Sequence, residues 1–225
     1  MSIRYLSLLV LLLAGCAALE PQPLNDDFVN DRATLAVAPR MRDLHRQWQV
    51  RMDPLVAKET SLWNQDDGWL TPSVRSVEPG YSRALKRLTA VADVLTAERT
   101  LDQQYASAMI ALADDSRVFD QDREVFRVYL EREIGMWRAD RATYLNGFLE
   151  FIEAVRQASD LSFTERKARR ASVAGAEMAF TSPEAQQKAA VIEADIRRAG
   201  DKITEYRAFL GRGDVPYARM VEISP

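Results

Sequence analysis

The sequence predicts an all-α protein, an elongated antiparallel helical bundle or long helical hairpin with coiled-coil-like packing. Three observations carry this. Apolar residues recur every three to four positions over long stretches, and no strand-type alternation lasts more than a few residues. Gly and Pro number only 9 each in 225 residues, while 28% of the chain is charged; that balance suits helices better than a sandwich. Start and stop signals also fall where the periodicity begins and ends.

The elements follow in order. Residues 1–15 read as a signal segment and 16–25, with Pro21 and Pro23, as a short tether. From Asp26 the apolar stripe is Phe28, Leu35, Met41, Leu44, Trp48 and Met52. Pro39 should kink or split that helix, and Asp53-Pro54 should cap a new short one over 54–64. Residues 64–80 form the longest irregular stretch, with two Pro and two Gly. A helix over about 81–113 carries Tyr81, Leu85, Leu88, Ala92 and Leu95 on one stripe. The longest helix, about 117–158, presents Phe126, Leu130, Ile134, Trp137, Leu145, Phe148, Ile152 and Val155 on one face. Some forty residues at 1.5 Å each reach roughly 60 Å, longer than a small compact domain.

Ser162 to Glu165 fits a capping box for a helix over about 164–179. Thr181-Ser182-Pro183-Glu184 fits a second one. It opens a heptad seam of Ala185, Ala189, Ile192, Ile196, Ala199, Ile203, Tyr206 and Leu210, which Gly211 stops. The helical domain is thus expected over 26–211, followed by a tail over 212–225.

Composition narrows the function. Thirty Lys and Arg against 33 Asp and Glu give a net charge of −3. That leaves no global field for nucleic acid, and none is expected as a partner. One Cys forms no internal disulfide, and one His rules out multi-His metal sites. No metal, no cofactor and no catalytic residue is expected. His45, between Leu44 and Arg46, reads as a boundary histidine rather than a general base. Asp66, Asp67, Asp114, Asp115, Glu131 and Glu133 are plentiful carboxylates, but abundance does not separate an acid from a base.

The N-terminus carries one charge, Arg4, then an apolar run, then Leu13-Ala14-Gly15-Cys16. Small residues before a single Cys resemble the lipobox of bacterial lipoproteins, over the first sixteen residues. The resemblance implies that Cys16 receives a diacylglyceryl group and becomes the N-terminus after cleavage. The mature chain is then 210 residues with a charge of about −4. In Gram-negative members an Asp after the Cys favours the inner membrane. Ala17 stands here, which implies the outer membrane, with the domain facing the periplasm.

Two stretches are candidate partner contacts. Trp63 and Trp69 flank Asp66-Asp67, a loop that either recognises a partner or is pinned to the bundle by its indoles. Arg166, Lys167, Arg169 and Arg170 form the densest basic run, suited to phosphate or cell-wall carboxylates or simply to water. Arg212-Gly213-Asp214 is a chance-length match to an adhesion tripeptide. The expected role is structural or partner-recruiting at the envelope. A bundle holding a small apolar ligand or lipid near Trp137 and Phe148 is the alternative, and a cell-wall hydrolase the third. Oligomeric state is left open.

Overall fold

The computed structural model describes residues 26–65, 68–168 and 178–210, the last five by backbone only. They form α1 (Asp26–Trp63), a single turn α2 (Pro72–Arg75), α3 (Gly80–Ile110), α4 (Arg123–Thr164) and α5 (Pro183–Leu210). Two 3-10 turns, Ala111–Asp114 and Asp120–Asp122, join α3 to α4. The fold is all-α, with no strand among the described residues.

Side-chain pairs fix the directions. Tyr81 meets Asp160, Arg141 meets Glu98 and Asp102, and Arg127 meets Asp114, so α3 and α4 are antiparallel. Trp48 bonds Asp102 and Arg40 pairs with Asp115, which makes α1 antiparallel to α3. Arg32 with Asp122, Trp48 with Trp137 and Trp63 with Phe148 make α1 parallel to α4. α5 runs back along α4, with Lys202 on Glu150 and Ala189 packed in the same cluster as Ala158. The 42-residue α4 is therefore the common spine. α1 covers its N-terminal part and α5 its C-terminal part.

The core follows that division. Near the start of α1, Val37, Met41, Met109, Phe126, Leu130 and Ile134 are fully enclosed. Further along, Leu88, Val91, Leu95, Leu145, Ile152 and Val155 form a second cluster. Under α5, Ala158 meets Met178, Phe180, Ala185, Ala189 and Ile192. The seam predicted on α5 is buried at Ala185, Ala189, Ile192, Ala199 and Ile203; the side chains of Tyr206 and Leu210 lie outside the described residues. Gly147 lets α5 approach α4 closely, since a Cβ there would sit 3.4 Å from Lys202 Cβ.

Four sequence expectations need correction. α1 runs unbroken through both Pro39 and Pro54. An interior Pro costs about 3 kcal/mol locally, and burial of Val37, Ala38, Met41 and Met52 outweighs it. The inward face of α1 is set by Val29, Ala33, Val37 and Met41, while Phe28 and Leu35 point to solvent. The spine starts at Arg123 and ends at Thr164, not at 117 and 158, because 115–122 turn between helices. The predicted helix over 164–179 is replaced at its described ends by a turn at 165–168 and non-helical chain at 178–180.

The cap of α5 also shifts by one residue. Ser182, not Thr181, caps it, accepting from Ala185 N at 3.3 Å, while Thr181 Oγ1 donates to Ala168 O. Gln186 reaches back to accept from Phe180 N at 2.9 Å.

The tightest backbone approach is at Gly80, where a Cβ would fall 2.0 Å from the Val74 carbonyl oxygen. Gly80→Ala is expected to force α2 and its loop away from α3. Overpacking of this kind costs about 1–3 kcal/mol. A thermal melt should show a midpoint several degrees below the parent.

Candidate functional site

The part of the bundle remote from Asp26 carries the four described candidate contacts, Trp63, Trp69, Arg166 and Lys167. Gly68 turns the chain in the left-handed region (φ 62°), and Thr71 Oγ1 donates to its carbonyl at 2.7 Å. Pro72 then starts α2 at a first-turn position where no N–H is needed. This geometry drives Trp69 inward until it is only 3% exposed. Its ring stacks on Trp63 at 5.6 Å, and the Arg87 guanidinium lies over it at 4.9 Å from the centroid. Trp63 Nε1 donates to Glu59 Oε1 at 3.1 Å, and its ring also meets Phe148 and Phe151. The loop is pinned by its indoles. Trp69 is spent on packing, and Trp63 is partly buried against the same cluster.

Arg75 anchors the loop from the inside. It is buried, and its Nη1 donates to Val155 O at 3.1 Å and Ser159 Oγ at 3.2 Å on α4. Tyr81 stacks on Phe163 at 4.2 Å and donates its hydroxyl to Asp160 at 2.8 Å. That carboxylate acceptor raises the phenol above its usual range. Arg166 lies 4.8 Å from the Phe163 ring and donates to the Phe163 carbonyl. The loop from Trp69 to Tyr81 and the described start of the basic run at Arg166, about a hundred residues apart in sequence, thus both lie against the C-terminal half of α4. Asp66, Asp67, Arg169, Arg170 and Cys16 lie outside the described residues.

Two open grooves border this end. One, of about 580 Å³, lies between α1, α4 and α5 and is walled by Trp63, Tyr144, Phe148 and Phe151, with Glu59 inside. The other, of about 820 Å³, lies between α4 and α5 beside Leu161, Val191 and Ile192. Of the pair expected around an apolar ligand, Phe148 lines the first groove. Trp137 is instead buried edge-on against Trp48 and Tyr105.

Between the two apolar clusters sits a charged layer that sequence reading missed. Glu98 and Asp102 of α3 are 1% and 5% exposed. Arg141 of α4 donates to both, Nη2 to Glu98 at 3.1 Å and Nε to Asp102 at 2.9 Å. Asp102 also accepts Trp48 Nε1 from α1 at 3.1 Å. Burial lifts the Glu98 carboxyl to about 7, against the pull of Arg141 and with a further push from the Glu59 charge. Burial likewise raises Asp102, opposed by Arg141 and Trp48. The signal was present: Val91, Leu95, Glu98, Asp102, Tyr105 and Met109 are spaced 4, 3, 4, 3, 4. A charge in register inside an apolar stripe is a buried charge.

Of the remaining titratable candidates, His45, Asp114, Asp115 and Glu133 are engaged. His45 stacks on Trp48 at 5.6 Å, and burial lowers its pKa. Asp115 is held at about 2 by its hydrogen bonds from Arg117. Asp114 pairs with Arg127 and Glu133 with Arg132. No group of three or more His, Cys, Asp or Glu among the described residues could hold a metal ion.

No family model matches the chain, and comparison with curated proteins and with solved structures finds no match.

The charged layer has a pH signature. Below about pH 4.5 Glu98 is neutral in the folded and the unfolded chain. Between 4.5 and 7 the folded chain keeps a proton that the unfolded chain has released, so stability falls across that window. At about 1.4 kcal/mol per pKa unit, the loss is on the order of 3 kcal/mol. Glu98→Gln should flatten the decline and leave the variant more stable than the parent at pH 8. Urea unfolding at pH 4.5 and pH 8 measures both.

Proposed function

We propose that this chain is a lipid-anchored envelope protein of a Gram-negative bacterium. It is held by Cys16 in the outer membrane, with its helical bundle in the periplasm in a structural or partner-recruiting role. The observation that carries the reading is Leu13-Ala14-Gly15-Cys16 at the end of a short apolar run, placed just ahead of a short tether and a helical domain. Only a thiolate is nucleophilic enough to take up the lipid at that position. Two or three acyl chains then hold firmly, at about 0.8 kcal/mol per buried methylene. No described helix is long and apolar enough to cross a membrane, so in this reading the lipid makes the attachment.

The recruiting surface in this reading is the end remote from Asp26. There the partly buried Trp63, the groove beside it and the exposed Arg166 and Lys167 lie along the C-terminal half of α4. A partner with acidic and apolar groups fits that combination. The aromatic walls of the 580 Å³ groove favour a second reading, a binding module for a small apolar ligand or lipid.

Labelling cells with radioactive palmitate tests the anchor. The parent should carry label and fractionate with the outer membrane, and Cys16→Ser should carry none. An unlabelled parent overturns the reading. A photo-crosslinker placed at Trp63 should capture a discrete partner in living cells, whereas one at Val50, exposed on α1, should not.

A further inference from the structure

The other end of the bundle, where α1 begins, presents apolar side chains that the core does not use. Phe28 in the first turn of α1 is 54% exposed, and Phe119 in the turn between α3 and α4 is 58% exposed. They belong together: the Arg32 guanidinium lies 5.5 Å from one ring and 4.9 Å from the other. Arg32 is itself fixed by Asp122, which is 2% exposed. Two phenylalanines are thus held outward around a rigid cation. Val128 on α4, which borders the same start of α1, is exposed as well. Leu35 extends the Phe28 stripe by two helical turns.

We propose that this end is a lipid-facing surface, with Phe28 and Phe119 entering the headgroup region of the bilayer that holds the Cys16 lipid. The inference rests on the lipid-anchor reading. The length of chain outside the structure argues for it. Nine residues separate Cys16 from Asp26. Fully extended they span about 30 Å, so the start of α1 is the part of the bundle held at the membrane. The opposite end of the 38-residue α1 lies roughly 57 Å away. Aromatic rings suit the interface because they tolerate both the apolar and the wet side.

The attraction is apolar rather than coulombic. Arg32, Arg117, Arg123 and Arg127 each pair with an acid at this end: Asp122, Asp115, Asp120 and Asp114. Asp26 and Asp27 add negative charge. Docking should therefore persist at high salt and on zwitterionic lipid.

The test uses the full lipidated chain in vesicles of phosphatidylethanolamine and phosphatidylglycerol containing spin-labelled lipid. A fluorophore is attached at Gln121→Cys beside Phe119, or at Glu184→Cys on the far end as control. Quenching is expected at 121, at least fivefold stronger than at 184, and unchanged in 0.5 M salt. Phe28→Ser with Phe119→Ser should abolish it while helical circular dichroism and the Cys16 lipid, read by mass spectrometry, remain. A lipidated chain whose label at 121 is not quenched overturns the docking surface and leaves the anchor standing. A label at 121 protected only within a dimer assigns the surface to a second copy and also overturns it. A Cys16 without lipid overturns the anchor reading, and this inference with it.

Discussion

Arg141 and its two carboxylates are the constraint around which the bundle is arranged. The guanidinium can serve Glu98 and Asp102 together only when α3 and α4 stand in one register. Asp102 then recruits Trp48 and brings α1 into the same register. Sliding α3 past α4 by one turn would strand a buried charge, which costs several kcal/mol, and sliding α1 would take the indole donor from Asp102. Apolar contacts alone tolerate such a slip far better, since one Leu can stand in for another. The layer is therefore read as a specifier of alignment, and as a poor source of net stability. The raised Glu98 carboxyl is the trace of that cost.

Around this layer the long helices divide the work. α4 is too long for one partner to cover, so α1 and α5 share it in succession. Where α1 ends, the Trp63–Trp69 stack and the Arg75 bonds to α4 close the exposed flank of α3 and α4. The loop thus substitutes for a helix there, which accounts for its buried Trp69 and its buried arginine. A stretch so rich in Gly and Pro would otherwise have little reason to hold two indoles in contact.

Much of this was legible in the residues. Helical periodicity survives because every long helix buries one stripe, and the α5 seam and the face of α4 from Phe126 to Val155 were readable directly. The prolines of α1 misled because local cost was weighed without the neighbouring helix that offsets it. Phe28 and Leu35 misled because spacing alone does not say which of two apolar stripes faces inward; Val29, Ala33 and Val37 form the other. Glu98, Asp102 and Arg141 look like ordinary helix charges until the register of the two acids with Val91, Leu95, Tyr105 and Met109 places them inside. The meeting of Trp69 with Arg87 and of Tyr81 with Phe163 is a product of chain path, which no local pattern encodes.

The parallel course of α1 and α4 bears on mechanics. A pull applied at Asp26 and resisted at the far end acts along the axes of the helices, not across them. Contacts along α1, such as Arg32–Asp122 and Trp48–Asp102, then bear that load in shear. The Arg32–Asp122 pair lies in the second turn of α1, near where that load enters, and the charged layer lies further along. In a bundle laid out in this way, drawing the two ends apart loads its side-chain contacts together rather than in succession.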